Sequence, residues 1–172
     1  MSQTVVVVTF YSRSGATETR ALSLAVGAVQ ERAMIRLRRL PDADRQPSVA
    51  DGHGHRETLE RMRKEYVPPA EGDLRGADAI VIAPTSGCDP SSTEWRPFLD
   101  LLGSLGVAGA LAGKVGAVVR NRDAALVERF ERALQESGLT IVTPASASEA
   151  DPTPQGATAH GRRIAAAARG TA

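Results

Sequence analysis

Short runs of apolar residues alternate along this chain with segments of helical periodicity, and this alternation limits the folds open to it. Residues 4–10, 77–83 and 114–119 are nearly continuous apolar runs, which are typical of strands buried on both faces of a sheet. A more alternating strand is predicted at residues 34–40 and a short last strand at 140–143. Because helical patterns separate the strands, we expect a parallel sheet with helices on both faces.

The remaining residues predict helices and one variable segment. The helical patterns cover residues 16–31, 92–105, 123–137 and the alanine-rich end of 150–168. The polar segment 41–72 is predicted to be mostly loop, with a short exposed helix at 55–66. The order of elements therefore predicts a single α/β domain over residues 1–172, with a doubly wound five-stranded parallel sheet, and leaves two known strand orders open.

The charge and cysteine content exclude several classes of function. The 21 basic and 20 acidic residues give a net charge of +1, so no basic surplus is present to neutralise nucleic-acid phosphates. The single Cys88 excludes a disulfide framework and a multi-cysteine metal site. No apolar run approaches the roughly 20 residues that span a bilayer, and no signal peptide is evident. We therefore expect a cytoplasmic protein without nucleic-acid or membrane partners.

Hydroxyl residues and a glycine stand where the first strand becomes the first helix, in the sequence SRSGAT at 12–17. The unpaired N–H groups of a helix N-terminus bind anions, and Ser12, Ser14 and Thr17 can add hydroxyl hydrogen bonds. Gly15 permits a positive φ and close approach of a ligand to the backbone. The loop lacks the second glycine and the lysine of dinucleotide and triphosphate loops. It therefore favours a single terminal phosphate, with an ordinary helix cap as the alternative.

This loop resembles the phosphate loop of the flavodoxin-like proteins, whose pattern Thr/Ser-x-Thr/Ser-Gly-x-Thr it matches at every position. The second loop, PTSG at 84–87, resembles the Pro-Thr-x-x-Gly loop of the WrbA-type NAD(P)H:quinone oxidoreductases and NADPH-dependent FMN reductase-like proteins. The stretches WRPFLD and GALAGKVGAVV are similar to RTFLD and GALYGKLASVF of that family. The resemblance covers most of the chain outside 41–72 and implies the flavodoxin strand order 2-1-3-4-5.

The resemblance implies an FMN cofactor at the carboxyl edge of the sheet and electron transfer from NAD(P)H to a quinone or similar acceptor. The flavin would carry the redox chemistry, so no catalytic side chain is assigned. It also implies a homodimer or homotetramer. The implied cofactor-binding residues are Ser12, Arg13, Ser14, Gly15, Ala16 and Thr17 for the phosphate, Pro84, Thr85, Ser86 and Gly87 beside the ring, and Arg120, Asn121 and Arg122 on the other side of the ring.

Two other functions stay open. Gly87 stands where the family usually has an aromatic residue, and the third loop is only RNRD. An aromatic side chain stacked on a planar ring contributes about 1–3 kcal/mol, so these features favour a flavodoxin-like domain that has lost flavin and acts as a binding or accessory protein. The second alternative is a small electron-carrier flavodoxin, which the balanced charge disfavours because such carriers dock through acidic faces.

Some residues near the loops allow both a structural and a functional interpretation. Trp95 lies at helical spacing with Phe98, which favours core packing over stacking on a ligand. Cys88 is interpreted as a small loop residue rather than a nucleophile. Arg120 and Arg122 either bind an anionic group or lie in a solvated loop.

Histidine and basic residues elsewhere are interpreted as surface. His53 and His55 make a poor metal site, because two ligands in a loop do not complete a coordination shell. His160 is predicted on the solvent face of the last helix, and the basic run 36–39 on an exposed edge-strand face or an oligomer surface.

Overall fold

The computed structural model describes residues 3–43 and 53–170, which contain a five-stranded sheet. All strand pairs are parallel, and the order is β2-β1-β3-β4-β5. This result confirms the predicted doubly wound sheet and selects the flavodoxin order from the two that the residue pattern left open. The strands are β1 (Val5–Phe10), β2 (Met34–Arg39), β3 (Ala79–Ala83), β4 (Val115–Val118) and β5 (Thr140–Ile141).

Helices cover both faces of the sheet, as predicted. In chain order they are α1 (Ala16–Gln30), α2 (His53–Glu65), α3 (Glu71–Arg75), α4 (Arg96–Val107), α5 (Ala124–Glu136), α6 (Ala147–Ala150) and α7 (Pro154–Gly170). One apolar cluster joins α1, α2 and α7 to one face, and a second joins α3, α4 and α5 to the other. The strands therefore lie between two helical layers, with their carboxyl ends at one edge.

The insert 41–72 is more ordered than the sequence predicts. Its helix α2 is confirmed, but the exposed placement is wrong because Leu59 and Met62 are buried in the core beneath it. Helix α3 begins at Glu71, inside the stretch predicted as loop. Two apolar residues in an otherwise charged helix give too weak a pattern to predict that the helix packs against the core. Residues 44–52 of this insert lie outside the described part of the chain.

The basic strand β2 lies at the sheet edge, but its last residue is not exposed. Arg39 is 4% exposed, and its Nη2 donates to Asp42 Oδ1 at 2.9 Å and to the carbonyl oxygen of Ser12 at 2.9 Å. Arg38 Nη2 donates to Asp73 Oδ1 at 2.7 Å. The prediction of an exposed basic face is therefore wrong for Arg39, because acidic residues from beyond β2 fold back onto the strand.

His160 is buried in α7, so its predicted place on the solvent face is wrong. Its Nε2 lies 3.0 Å from the carbonyl oxygen of Val142. Since a carbonyl oxygen can only accept, Nε2 carries a hydrogen. Burial lowers the pKa of His160 to about 4, so the ring is neutral at pH 7. The alanine-rich sequence around this histidine gave no sign that it faces the sheet.

Protonation of His160 should destabilise the protein as the pH falls. The folded-state pKa of about 4 lies below the ordinary value of 6.5, so the unfolded state binds the proton more readily. Stability is therefore complete above pH 6.5 and falls progressively between 6.5 and 4, by on the order of 3 kcal/mol. His160→Gln keeps an N–H donor but has no titrating group, so its stability should change less between pH 6.5 and 4. Urea unfolding at pH 7.5, 6 and 5 measures the slope, and an equal slope in both proteins would contradict the assignment.

Candidate functional site

The first β-to-α junction is a tight turn at the carboxyl edge of the sheet. Strand β1 ends at Phe10 and α1 begins at Ala16, with Gly15 at the N-cap in the left-handed region at φ 90°. A Cβ atom added at Gly15 would lie 3.3 Å from Cγ2 of Thr58, on α2. Glycine is therefore required by the backbone conformation, and α2 covers one side of the turn.

Two serine hydroxyls of this turn support its own backbone. The Gly15 N–H donates to Ser12 Oγ at 3.0 Å, and Ser12 is buried. Ser14 is exposed, and its Oγ lies 3.5 Å from the backbone nitrogen of Ala16, which is at the long limit for a hydrogen bond. Ser14 therefore keeps its hydroxyl hydrogen for an external acceptor, whereas Ser12 shapes the turn.

A chain of hydroxyl contacts joins the first loop to the second. Thr17 Oγ1 lies 2.8 Å from Thr85 Oγ1. The Thr85 hydroxyl also donates to the carbonyl oxygen of Tyr11, so Thr17 is the donor to Thr85. These contacts bring the ends of β1 and β3 together at the start of α1.

Asn121 joins the second loop to the third. Its Nδ2 donates to the carbonyl oxygen of Pro84 at 3.2 Å, and its Oδ1 accepts from Ser86 Oγ at 3.4 Å and from the Asp123 N–H at 3.1 Å. Gly87 adopts φ 86°, and no atom lies within 4 Å of a Cβ added there. The three predicted loops therefore meet at one corner of the sheet, with open space above Gly87.

The predicted arginines occupy different environments. Arg120 Nη2 pairs with Glu131 Oε1 at 2.5 Å, which commits Arg120 to α5 rather than to a ligand. Arg122 is exposed beside the corner. Burial raises the pKa of Tyr11 to about 12, and the Arg13 charge opposes this shift, so Arg13 lies near the Tyr11 side chain. Of the arginines predicted to bind a ligand, Arg120 is thus already paired with a carboxylate of the chain itself.

A buried carboxylate in the first turn of α1 holds α2 in place. Glu18 is 4% exposed; its Oε2 accepts from Arg61 Nη2 at 2.6 Å and its Oε1 from the Tyr66 hydroxyl at 2.6 Å. Burial alone would raise the pKa of Glu18, but these two donors lower it, so the carboxylate is charged. The sequence does not reveal this cluster, because Glu18 lies 43 residues from Arg61 and 48 residues from Tyr66.

A second acidic group ties the end of β2 to the same turn. Asp42 accepts from Arg39, from Arg63 Nε at 2.9 Å and from the Tyr11 hydroxyl at 3.2 Å. Burial opposes ionisation of Asp42, but the arginine partners lower its pKa below the ordinary value. Because Arg39 also donates to the carbonyl oxygen of Ser12, this cluster holds the end of β2 against the loop 12–17.

The remaining candidates are structural. Trp95 is fully buried against Phe98 and Phe130, which confirms the core interpretation. Burial raises the pKa of Cys88, so its thiol is protonated and unreactive at neutral pH.

Among the described side chains, no group of three or more His, Cys, Asp or Glu residues could hold a metal ion. In the same part of the chain, no helix has the length and apolarity to cross a bilayer.

Comparisons of the sequence identify relatives over two thirds of the chain. It is 33% identical over 116 residues to an NAD(P)H dehydrogenase (quinone) of Paracoccus denitrificans strain Pd 1222, which covers 67% of this chain and 52% of that protein. NAD(P)H dehydrogenase (quinone) 3 of Rhizobium meliloti strain 1021 is 32% identical over 115 residues, with 67% and 51% covered. The chain thus spans about half the length of the curated relatives it matches. No protein-family model matches.

Solved structures share the whole fold. A WrbA-like flavodoxin from Agrobacterium tumefaciens superposes with a TM-score of 0.59 at 17% identity, covering 99% of this chain and 100% of that one. A flavodoxin from the domain Archaea gives 0.60 at 16% identity, with 96% and 99% covered. The chain is therefore a flavodoxin-like protein, and the resemblance predicted from its loops is confirmed. At the level of sequence it is a relative of proteins named NAD(P)H dehydrogenase (quinone).

Proposed function

We propose that this protein is an FMN-binding oxidoreductase that transfers electrons from NAD(P)H to a quinone or similar acceptor. The observation that carries the proposal is the first β-to-α junction, where a left-handed Gly15 leads into the N-terminus of α1 beside the hydroxyls of Thr17 and Thr85. The names of the sequence relatives support the same reaction. The cytoplasmic location and the assembly into dimers or tetramers remain predictions.

The groups at this junction fit a phosphate. The start of α1 offers backbone N–H groups and a partial positive charge. Ser14 is exposed and keeps its hydroxyl hydrogen for an external acceptor, whereas Thr17 would have to release its hydrogen bond to Thr85 before donating to a phosphate. We expect an FMN phosphate to be held by the loop 12–17.

The other two loops fit a planar ring. When bound, FMN supplies the redox chemistry by taking a hydride from the nicotinamide and giving electrons to the acceptor. The open space at Gly87 lets a ring approach the backbone of residues 84–87. Asn121 holds Pro84 and Ser86 in place, so the second and third loops act as one wall. The chain's contribution is binding and orientation, and no side chain donates or accepts a proton in this proposal.

A flavin-free domain that serves as a binding or accessory protein is the second candidate. The observation that favours it is the Glu18 carboxylate, whose Oε2 lies 3.6 Å from the position of a Cβ on Gly15. A fixed negative charge beside the loop opposes binding of a phosphate. Arg61 offsets that charge, so the outcome depends on how fully this ion pair neutralises the carboxylate.

The absorbance spectrum and a turnover assay separate the candidates. We expect the purified protein to show flavin absorbance, or to quench FMN fluorescence when FMN is added, and then to oxidise NADH or NADPH with a benzoquinone. Flavin binding without nicotinamide oxidation would instead identify an electron carrier. Absence of flavin absorbance together with no quenching would favour the second candidate, a flavin-free binding or accessory protein.

A further inference from the structure

A cavity at the carboxyl edge of the sheet lies beside the corner where the three loops meet. Its volume is about 370 Å³, which is within the range of roughly 300–1,000 Å³ that is usual for small-molecule sites. Two buried side chains line it, Leu40 from the segment after β2 and Phe98 from α4. A cavity near the lower end of that range suits a single ring system rather than a dinucleotide.

Rigid apolar side chains form most of the walls of this cavity. Half-buried Leu101 and four prolines line it, namely Pro41, Pro68, Pro69 and Pro97. A proline side chain loses almost no conformational freedom when it is covered. A ligand therefore gains apolar contact without the entropy cost of ordering long side chains. Walls of this kind favour a compact apolar molecule.

The charged residues of the cavity disfavour an anionic ligand. Among the described residues that line it, Asp42 and Glu94 are acidic and none is basic. Asp42 already accepts from Arg39 and Arg63, so its charge is offset within the chain and does not call for a cationic ligand. A phosphate or carboxylate in the cavity would lie near two groups of its own sign, which is unfavourable. The cavity therefore favours an uncharged ligand.

Tyr11 separates the cavity from the corner. Its carbonyl oxygen accepts from the Thr85 hydroxyl in the second loop, and its own hydroxyl donates to Asp42 Oδ1 at 3.2 Å. The Tyr11 ring belongs to the same apolar cluster as Leu40 and Phe98. One side chain thus contacts both the second loop and the residues that line the cavity, so the two sites are neighbours.

We propose that this cavity binds an uncharged apolar ring compound of the size of a substituted benzoquinone. The ring-binding site rests only on the volume, walls and charge of the cavity, whereas its identification as the site of the electron acceptor rests on the function proposed above. In that role, one NAD(P)H, one proton and one quinone give NAD(P)⁺ and the hydroquinone, so the quinone gains two electrons and two protons.

Duroquinone tests the cavity without any flavin. This methylated benzoquinone is uncharged and has no free ring position to which the Cys88 thiol could add. Trp95 is the only tryptophan, and its buried ring lies 5.9 Å from that of Phe98, so its fluorescence reports on the cavity. We expect duroquinone to quench this fluorescence saturably in the full chain. The analogue with a propionate in place of one methyl group should bind about tenfold more weakly, because it places a negative charge near Asp42 and Glu94.

Two matched pairs of variants locate the binding. Leu101→Asn makes one wall polar, and Leu99→Asn makes the same change at another half-buried leucine of α4 that does not line the cavity. Ala43→Phe narrows the cavity from an exposed position, and Ala112→Phe adds the same ring at an exposed position before β4, at the opposite edge of the sheet.

The two cavity variants should each weaken duroquinone binding about tenfold, and the two controls less than about twofold. Equal binding of duroquinone by both cavity variants and the original protein would overturn the proposal. Absence of saturable quenching in the original protein, or equal affinity for the propionate analogue, would also overturn it. Each of these results would leave the proposed function standing.

Turnover by the protein with FMN added identifies the ring compound. If the cavity holds the acceptor, Leu101→Asn and Ala43→Phe should raise the KM for duroquinone about tenfold, with the KM for NADH or NADPH and the affinity for FMN unchanged. An unchanged KM for duroquinone in both variants would refute the identification with the acceptor and leave the ring-binding site standing. Saturable binding of duroquinone by a protein that binds no flavin would refute the proposed function and likewise leave the ring-binding site standing.

Discussion

Gly161→Ala is expected to lower the free energy of unfolding by about 3 kcal/mol, the upper end of the usual range for overpacking. Gly161 lies in α7 where that helix crosses α1, and an added Cβ would lie 2.1 Å from the carbonyl oxygen of Leu24. A backbone atom cannot rotate away as a side chain can, so the two helices must separate. Gly27, on the other helix, has the same constraint, since its Cβ would lie 1.9 Å from the carbonyl oxygen of Thr158.

The same substitution elsewhere provides the control. Gly103 lies in α4, and no atom lies within 4 Å of a Cβ added there. Gly103→Ala should therefore leave stability unchanged or raise it by up to about 1 kcal/mol, because alanine favours the helix. Denaturant unfolding of both variants measures the contrast. A Gly161→Ala protein as stable as Gly103→Ala would show that α1 and α7 do not approach this closely.

Asp42→Asn is expected to cost on the order of 3 kcal/mol at neutral pH, because it leaves a buried charge without its partner. Arg39 is 4% exposed and depends on the Asp42 carboxylate for its counter-charge. The amide keeps the shape of the side chain but offers one acceptor where the carboxylate has two. Since Arg39 also donates to the carbonyl oxygen of Ser12, amide hydrogen exchange in residues 12–16 should quicken as well.

An exposed ion pair of the same type is the control for this effect. Arg75 Nε and Glu71 Oε1 are 2.6 Å apart, with side chains 52% and 53% exposed. Glu71→Gln should cost less than about 0.5 kcal/mol, because water already solvates both groups. Thermal unfolding of the two variants gives the comparison. Equal losses would mean that burial does not determine the strength of the Asp42 pair.

The sheet and its helices are predictable from the sequence because their signals are local. The apolar runs that form β1, β3 and β4 are typical of strands covered by helices on both faces of a sheet. Gly15 likewise predicts a positive φ at the junction, and its φ in the structure is 90°. Such features depend on neighbours within a few residues, so a single sequence is enough to reveal them.

The surroundings of the site depend on distant residues and were not predictable. The pairing of Arg61 with Glu18 spans 43 residues, and nothing in the local sequence of either residue indicates the other. The predicted roles of the loop residues in binding a cofactor remain predictions, because they concern a ligand rather than the chain's own packing.

A comparison of FMN with riboflavin tests the central claim most directly, since the two differ only in the phosphate assigned to the loop 12–17. Fluorescence quenching of each flavin by the purified full chain gives both dissociation constants under one set of conditions. We expect FMN to bind at least 100-fold more tightly, which corresponds to about 2.7 kcal/mol for a charged group held by several donors. Equal affinity for the two flavins, or no binding of either, would contradict the account.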